Sequence, residues 1–236
     1  MELAPLVRDL LDVELTPQQI AHFAIYESQL IEWNTHTNLT AITEPDEIRV
    51  RHFLDSLTIT KAADLNGELH GIDIGAGAGF PGLPLAIAFE NLHMTLLDSA
   101  GKKVRFMQHV IDMLNLQNAT AIHARAEELG QDAAHRAKYD LVLARAVARL
   151  PGLLEYMLPL AKVGGYCIAM KGTTAHEEAE SATRALNILG GTHGRIETVQ
   201  LPDVEIPHHL VVVRKVANTP AAYPRRPGTP TRKPIA

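Results

Sequence analysis

Residues 73–82 read Asp73-Ile74-Gly75-Ala76-Gly77-Ala78-Gly79-Phe80-Pro81-Gly82. The apolar run from Gly71 to Ile74 ahead of them has strand character, and helical spacing begins at Leu83. Three glycines at alternate positions therefore occupy a strand-to-helix turn. Without a Cβ, the backbone can turn sharply there and let a ligand reach its N–H groups. Downstream, strands are predicted at 93–98, 119–123, 139–144 and 165–170, with helices at 83–89, 101–115, 126–136 and 152–162. Regular alternation of this kind predicts an α/β fold, a doubly wound parallel sheet covered on both faces. A helix at 174–189 leads to strands near 195–201 and 209–216. Pro202 and Pro207 separate those two strands, which suits an antiparallel end to the sheet.

Upstream, the chain reads as helical. Thr16-Pro17 supplies a capping hydroxyl and a proline at the first helical position. The polar run Asn34–Asn38 should end that helix. Glu44-Pro45-Asp46-Glu47 begins a second one that runs through Phe53, Leu54 and Leu57 to about Ala63. Three regions are expected: a helical extension over 1–66, an α/β domain over 67–216, and a Pro-rich arm over 217–236. Region 1–66 carries 11 acids against 4 bases, whereas 217–236 carries 4 bases and no acid. The net charge of −5 speaks against a polyanionic partner, but binding follows the local field, and the basic arm keeps that option open.

Composition narrows the class. Hydrophobic residues are 46% and charged residues 21% of 236, ordinary for a globular chain. The single cysteine, Cys167, excludes an internal disulfide and a zinc site built from cysteine pairs. His109, His123, His135, His176 and His193 lack ligand spacing, and the adjacent His208 and His209 face opposite ways on a strand, so no metal is expected. The start lacks a basic and apolar leader, and no run approaches the roughly 20 apolar residues of a membrane helix. A cytoplasmic protein with no membrane partner is expected.

Two ligand readings compete for the loop. Gly77-Ala78-Gly79-Phe80-Pro81-Gly82 fits a dinucleotide fingerprint, a weak match on its own. The longer pattern, with Asp73 inside the strand and Gly75, Gly77 and Gly79 after it, resembles motif I of the Rossmann-type S-adenosylmethionine-dependent methyltransferases. An acid beside the loop suits a sulfonium and an amino group and would repel a pyrophosphate. Asp98 ends the next strand, where it can accept both ribose hydroxyls of an adenosine ligand. Ala126 and Glu127 follow the third strand, near the adenine, and Arg145 follows the fourth, where transfer should occur.

At this point the sequence resembles the RsmG family, also called glucose-inhibited division protein B. The resemblance rests on Trp33-Asn34 with Asn38–Ile42, Arg51–Leu57, Asp73–Pro84, Leu96–Ser99 with Lys102-Lys103, Arg145-Ala146, Lys171-Gly172, His209–Val212 and Tyr223–Pro230. It implies methylation of N7 of a guanine in small-subunit (16S) ribosomal RNA, with S-adenosyl-L-methionine as cofactor. It also implies loop contacts to the cofactor from Gly75 and Phe80, with Asp98 on the ribose, Ala126 and Glu127 at the adenine, and Arg145 beside cofactor and target. Ala76 departs from the Ser or Thr common at that loop position, and His208 from an Arg.

N7 of guanine has a lone pair and no proton, so the transfer needs positioning rather than a general base. Arg145, the catalytic candidate, should touch O6, a phosphate or the cofactor. For RNA contact the candidates are Arg51, His52, Lys171, His209, Arg225 and Arg226. Arg51 and His52 have a plainer reading as a solvated helix face, with His52 paired to Asp55. The expected partner is small-subunit rRNA or the 30S subunit in assembly, met by a monomer. The alternatives are a Rossmann methyltransferase acting on another RNA, a protein or a small molecule, and a nucleotide-dependent oxidoreductase, against which Asp73 argues.

Overall fold

The computed structural model describes residues 1–235. Seven strands form one sheet in the order β3-β2-β1-β4-β5-β7-β6. These are β1 (Leu69–Ile74), β2 (Leu92–Asp98), β3 (Ala119–His123), β4 (Tyr139–Arg145), β5 (Ala161–Lys171), β6 (Gly191–Val199) and β7 (His208–Lys215). β1 to β5 run parallel, and β7 inserts antiparallel between β5 and β6. The strand order reverses at β1, so the loop after β1 lies at the switch point, where a doubly wound sheet opens its crevice.

Helices cover both faces. They are α1 (Leu3–Leu11), α2 (Pro17–Thr37), α3 (Pro45–Ile48), α4 (Asp55–Leu57), α5 (Gly82–Ala88), α6 (Gly101–Leu114), α7 (Ala126–Leu129), α8 (Leu150–Met157), α9 (Ala175–Ser181), α10 (Thr183–Leu189) and α11 (Thr229–Arg232). Thr16 caps α2 through a reciprocal pair of hydrogen bonds with Gln19, and Asn38 ends it in the left-handed region. Between α3 and α4 the chain widens into a π-helical stretch, Arg49–Leu54. Such stretches are rare and concentrate at functional sites. Val7, Phe23, Tyr26, Leu30, Ile48, Phe53 and Leu57 from this amino-terminal part share one core with Ala76, Ala78, Phe80 and Leu83 of the loop region.

Several expected boundaries shift. The helix foreseen at 126–136 stops at Leu129, and the Arg136 guanidinium folds back onto the Gly130 carbonyl just beyond it. The helix foreseen at 152–162 ends at Met157, and β5 already starts at Ala161. The 174–189 helix breaks at Ala182. α1 is additional to the expected elements.

The largest correction concerns the tail. An extended arm is expected from its composition, but residues 217–235 dock on the body. The Arg136 guanidinium donates to the carbonyls of Tyr223, Thr219 and Pro220. Gln131 donates to Ala221 and Pro224, and Ile235 is buried. Arg225 forks onto Glu155, which is fully buried in α8.

Candidate active site

The parallel strands deliver Asp98, His123, Arg145 and Lys171 to one edge of the sheet, with Gly75 just beyond β1. Gly75, Gly77 and Gly79 all have positive φ. At Gly79 this is strict: a Cβ would collide with Leu83 Cδ1 and stand 2.8 Å from the Tyr26 hydroxyl oxygen. Tyr26 donates from α2 to the Ala78 carbonyl, so the amino-terminal helices hold the loop directly.

Asp73 is completely buried in β1. Its Oδ2 accepts the Gly82 N–H at 2.9 Å, and its Oδ1 has no donor among the described residues. Burial pushes its carboxyl up to about 7, against the pull of the Gly82 N–H and of Arg145. Asp98 is pinned to the loop: Oδ2 accepts from Gly77 at 3.0 Å and Oδ1 from Ala100 at 2.8 Å. Each oxygen keeps a lone pair for a further donor. Ala126 lies at the start of α7, partly buried against the core. The Glu127 side chain is buried, and its Oε1 accepts the Gly228 N–H of the tail at 2.8 Å. Ala76 is buried as well, and its backbone is used within the protein: its N–H donates to the Leu97 carbonyl and its carbonyl accepts from Gly79 and Phe80.

Phe80 does not face the crevice with its ring. The ring is buried between His52, with centroids 4.4 Å apart, and Tyr26, at 5.4 Å, with the Arg145 guanidinium 5.1 Å from its centre. A cofactor contact from Phe80 would therefore come from its backbone carbonyl, since its N–H donates to the Ala76 carbonyl.

Arg145 gathers the remaining groups. Its Nη1 donates to Asp55 Oδ2 at 2.9 Å and to the Arg51 carbonyl at 3.1 Å. Its Nη2 lies 3.3 Å from His52 Nδ1. The same Nδ1 lies 3.1 Å from the Arg51 carbonyl, and His52 Nε2 lies 2.8 Å from Thr40 Oγ1, so both ring nitrogens have polar partners. Burial, reinforced by the Arg145 charge, holds the imidazole down to about 3 and thus neutral at physiological pH. His52 is a buried spacer rather than a hand toward RNA, and its foreseen pairing with Asp55 is replaced by the Asp55–Arg145 pair. His208 Nε2 stands 3.1 Å from the other oxygen of Asp55. Ala146, next to Arg145, has a φ of 57°, a costly conformation for a residue with a Cβ.

A cleft of about 410 Å³ opens beside Arg145, with Arg51, Lys171 and His208 also on its walls. Arg51 is exposed, 3.6 Å from Glu47. Lys171 is less free than foreseen: its ammonium lies 2.9 Å from the buried Glu178 and donates to the Ala148 carbonyl. His209 lies on β7 against Thr198 and His176, and Arg225 and Arg226 lie over α7 with the tail, all outside this cleft. Sequence reasoning missed Asp55, Glu155 and Glu178 as partners of these cations. The signal for two of them was present: a lone acid inside Phe53-Leu54-Asp55-Ser56-Leu57 and inside Leu153-Leu154-Glu155-Tyr156-Met157 is buried on helical grounds and must find a cation.

Residues 19–217 match the family described as rRNA small subunit methyltransferase G. The chain belongs to this family. Relatives named ribosomal RNA small subunit methyltransferase G include one from Desulforamulus reducens, 47% identical and aligned over 96% of this chain and 94% of its own. Another, from Bacillus subtilis, is 44% identical over 94% and 93%. A solved S-adenosylmethionine-dependent methyltransferase from Aquifex aeolicus shares the fold with a TM-score of 0.55 at 18% identity, covering 73% of this chain and 94% of that one. A solved 16S rRNA adenine methyltransferase from Catenulisporales acidiphilia does so at 0.54 and 17%, covering 65% and 88%.

The chain is an S-adenosylmethionine-dependent rRNA methyltransferase. The residues present fit that cofactor: the orphaned, buried Asp73 oxygen beside the loop is an acceptor waiting for a cationic donor, and Asp98 has lone pairs to spare at the adjacent strand end. No helix among the described residues is long and apolar enough to cross a membrane.

Proposed function

We propose that this chain methylates N7 of one guanine in 16S rRNA, acting in the cytoplasm as a monomer on the 30S subunit or an intermediate of its assembly. The observation that carries the reading is Arg145, fixed by Asp55 at the carboxyl end of β4 on the wall of an open cleft. The cofactor supplies a methyl group on a sulfonium. The chain supplies alignment. N7 offers its lone pair in the plane of the ring, and no proton has to leave, so a site whose carboxylates Asp55 and Glu178 are already held by cations is adequate. Asp73 and the Gly75–Gly79 backbone would hold the methionine end, Asp98 the ribose, and Ala126 and Glu127 the adenine. Arg145 would meet O6 or a phosphate, since a cation at N7 itself would oppose the positive charge formed there.

The test uses tritiated S-adenosylmethionine with small subunits from a strain lacking this activity, followed by mapping of the labelled base. Label on a single guanine, at which mild alkali opens the imidazolium ring and aniline then cleaves the strand, supports the reading; label on adenine, cytosine or protein overturns it. Arg145→Ala should lower turnover while rRNA still binds. Sedimentation of the labelled complex checks the one-to-one stoichiometry.

A further inference from the structure

A base inside a folded RNA cannot reach a methyl group at the bottom of a crevice, so an enzyme of this kind must extrude it and grip its faces. We propose that the β6–β7 loop, residues 200–207, is one wall of the slot that takes the extruded purine, with Ile206 as the residue packed on its face. This rests on the rRNA reading above and names the subsite it needs.

Four observations place the slot. Arg145, Met170 and Ile206 line the same cleft, so the loop stands opposite the carboxyl ends of β4 and β5. Ile206 is 59% exposed, the most exposed of the large hydrophobic residues, and Leu201 and Val204 continue the apolar wall beneath it. The loop is stiff. Pro202 and Pro207 bracket it, the residue before a proline is held extended, and the Gln200 amide donates to the carbonyls of Leu201 and Val204. The same cleft is also lined by Arg145 and Arg51, paired with Asp55 and Glu47, whose remaining N–H groups can meet O6 and the flanking phosphate. An apolar face against one side of a flat base and hydrogen-bonding groups at its edge are the two requirements of such a slot. At about 410 Å³ the cleft falls within the range of small-ligand sites.

The experiment compares Ile206→Glu with wild type and with Val163→Glu, an equally exposed apolar position at the opposite end of β5. Tritium incorporation into small subunits gives kcat and KM, and calorimetry gives cofactor affinity. Ile206→Glu should raise KM for the subunit about tenfold or more, with cofactor affinity kept, and Val163→Glu should do neither. A KM within about twofold of wild type, or a parallel loss of cofactor affinity, overturns the slot. If wild type itself labels no rRNA, the parent reading fails and takes the slot with it.

Discussion

The Asp55 carboxylate accepts the Arg145 guanidinium at 2.9 Å and lies 3.1 Å from His208, joining groups 90 and more residues apart in sequence. Asp55 is on the amino-terminal helices, Arg145 on the central sheet and His208 on β7. The pair is mostly shielded from water, so its geometry is enforced rather than averaged. Asp55 touches no reacting atom in this reading; it positions Arg145. Asp55→Asn keeps the shape and removes the charge. It should lower kcat by about 10–100-fold, with the smaller change in KM and with cofactor affinity near wild type. Arg145→Ala should then add little on the Asp55→Asn background, because both remove one unit. Additive losses in that cycle would separate the two residues.

Arg225 is an RNA candidate by sequence, and its chemistry in the folded chain is different. The guanidinium and backbone N–H of Arg225 satisfy the fully buried Glu155, and three residues later the Gly228 N–H satisfies Glu127. Removing Arg225 strands a buried carboxylate. Arg225→Ala should cost about 3–5 kcal/mol in urea unfolding, and Glu155→Gln in the same chain should recover part of it. The tail also holds the start of α7, so deleting 217–236 should weaken cofactor binding in calorimetry, not only action on RNA. Intact cofactor affinity in a folded deletion variant would refute that coupling.

The β-α alternation, the glycine turn and the acids at the ends of β1 and β2 were legible because they follow from local pattern: period, turn chemistry and strand ends. The partner of each cation was not. Arg145 to Asp55, Lys171 to Glu178 and Arg225 to Glu155 are all tertiary pairings, between 7 and 90 residues apart. Sequence spacing carries no information about them beyond the presence of an acid in an apolar run. The Pro-rich tail misled for the same reason: it has no apolar period of its own, and what binds it is a set of backbone carbonyls met by Arg136 and Gln131.

Tyr26 offers a test of how the amino-terminal helices act on the loop. Its hydroxyl donates to the Ala78 carbonyl in a site closed to water, and its ring stacks on Phe80. Tyr26→Phe keeps the stacking and leaves that carbonyl unmet, at a cost of about 1–3 kcal/mol. Because the carbonyl belongs to the loop, cofactor affinity should fall along with thermal stability. A loss of stability with unchanged cofactor affinity would make Tyr26 a core residue and no more.

Asp73 gives the clearest pH signature. Its folded-state carboxyl titrates at about 7 against an ordinary 3.8, with burial as the main cause. A raised folded value means the native chain holds a proton that the unfolded chain gives up, so this contribution is full below about pH 4 and is lost as pH rises toward 7. His52 works the other way, losing stability as pH falls below 6.5, but it cancels in a comparison that changes only Asp73. The melting temperature of ligand-free Asp73→Asn should therefore pull ahead of wild type as pH increases across this window. Binding has the opposite demand. A cationic amino group beside Oδ1 favours the carboxylate, so at about pH 6 wild type should release a proton when S-adenosylmethionine binds, and Asp73→Asn should release none while binding more weakly. Calorimetry in two buffers of different ionisation heat reads that proton directly. Buffer-independent heats for wild type would mean that Asp73 already carries its charge, or that the cofactor's amino group lies elsewhere.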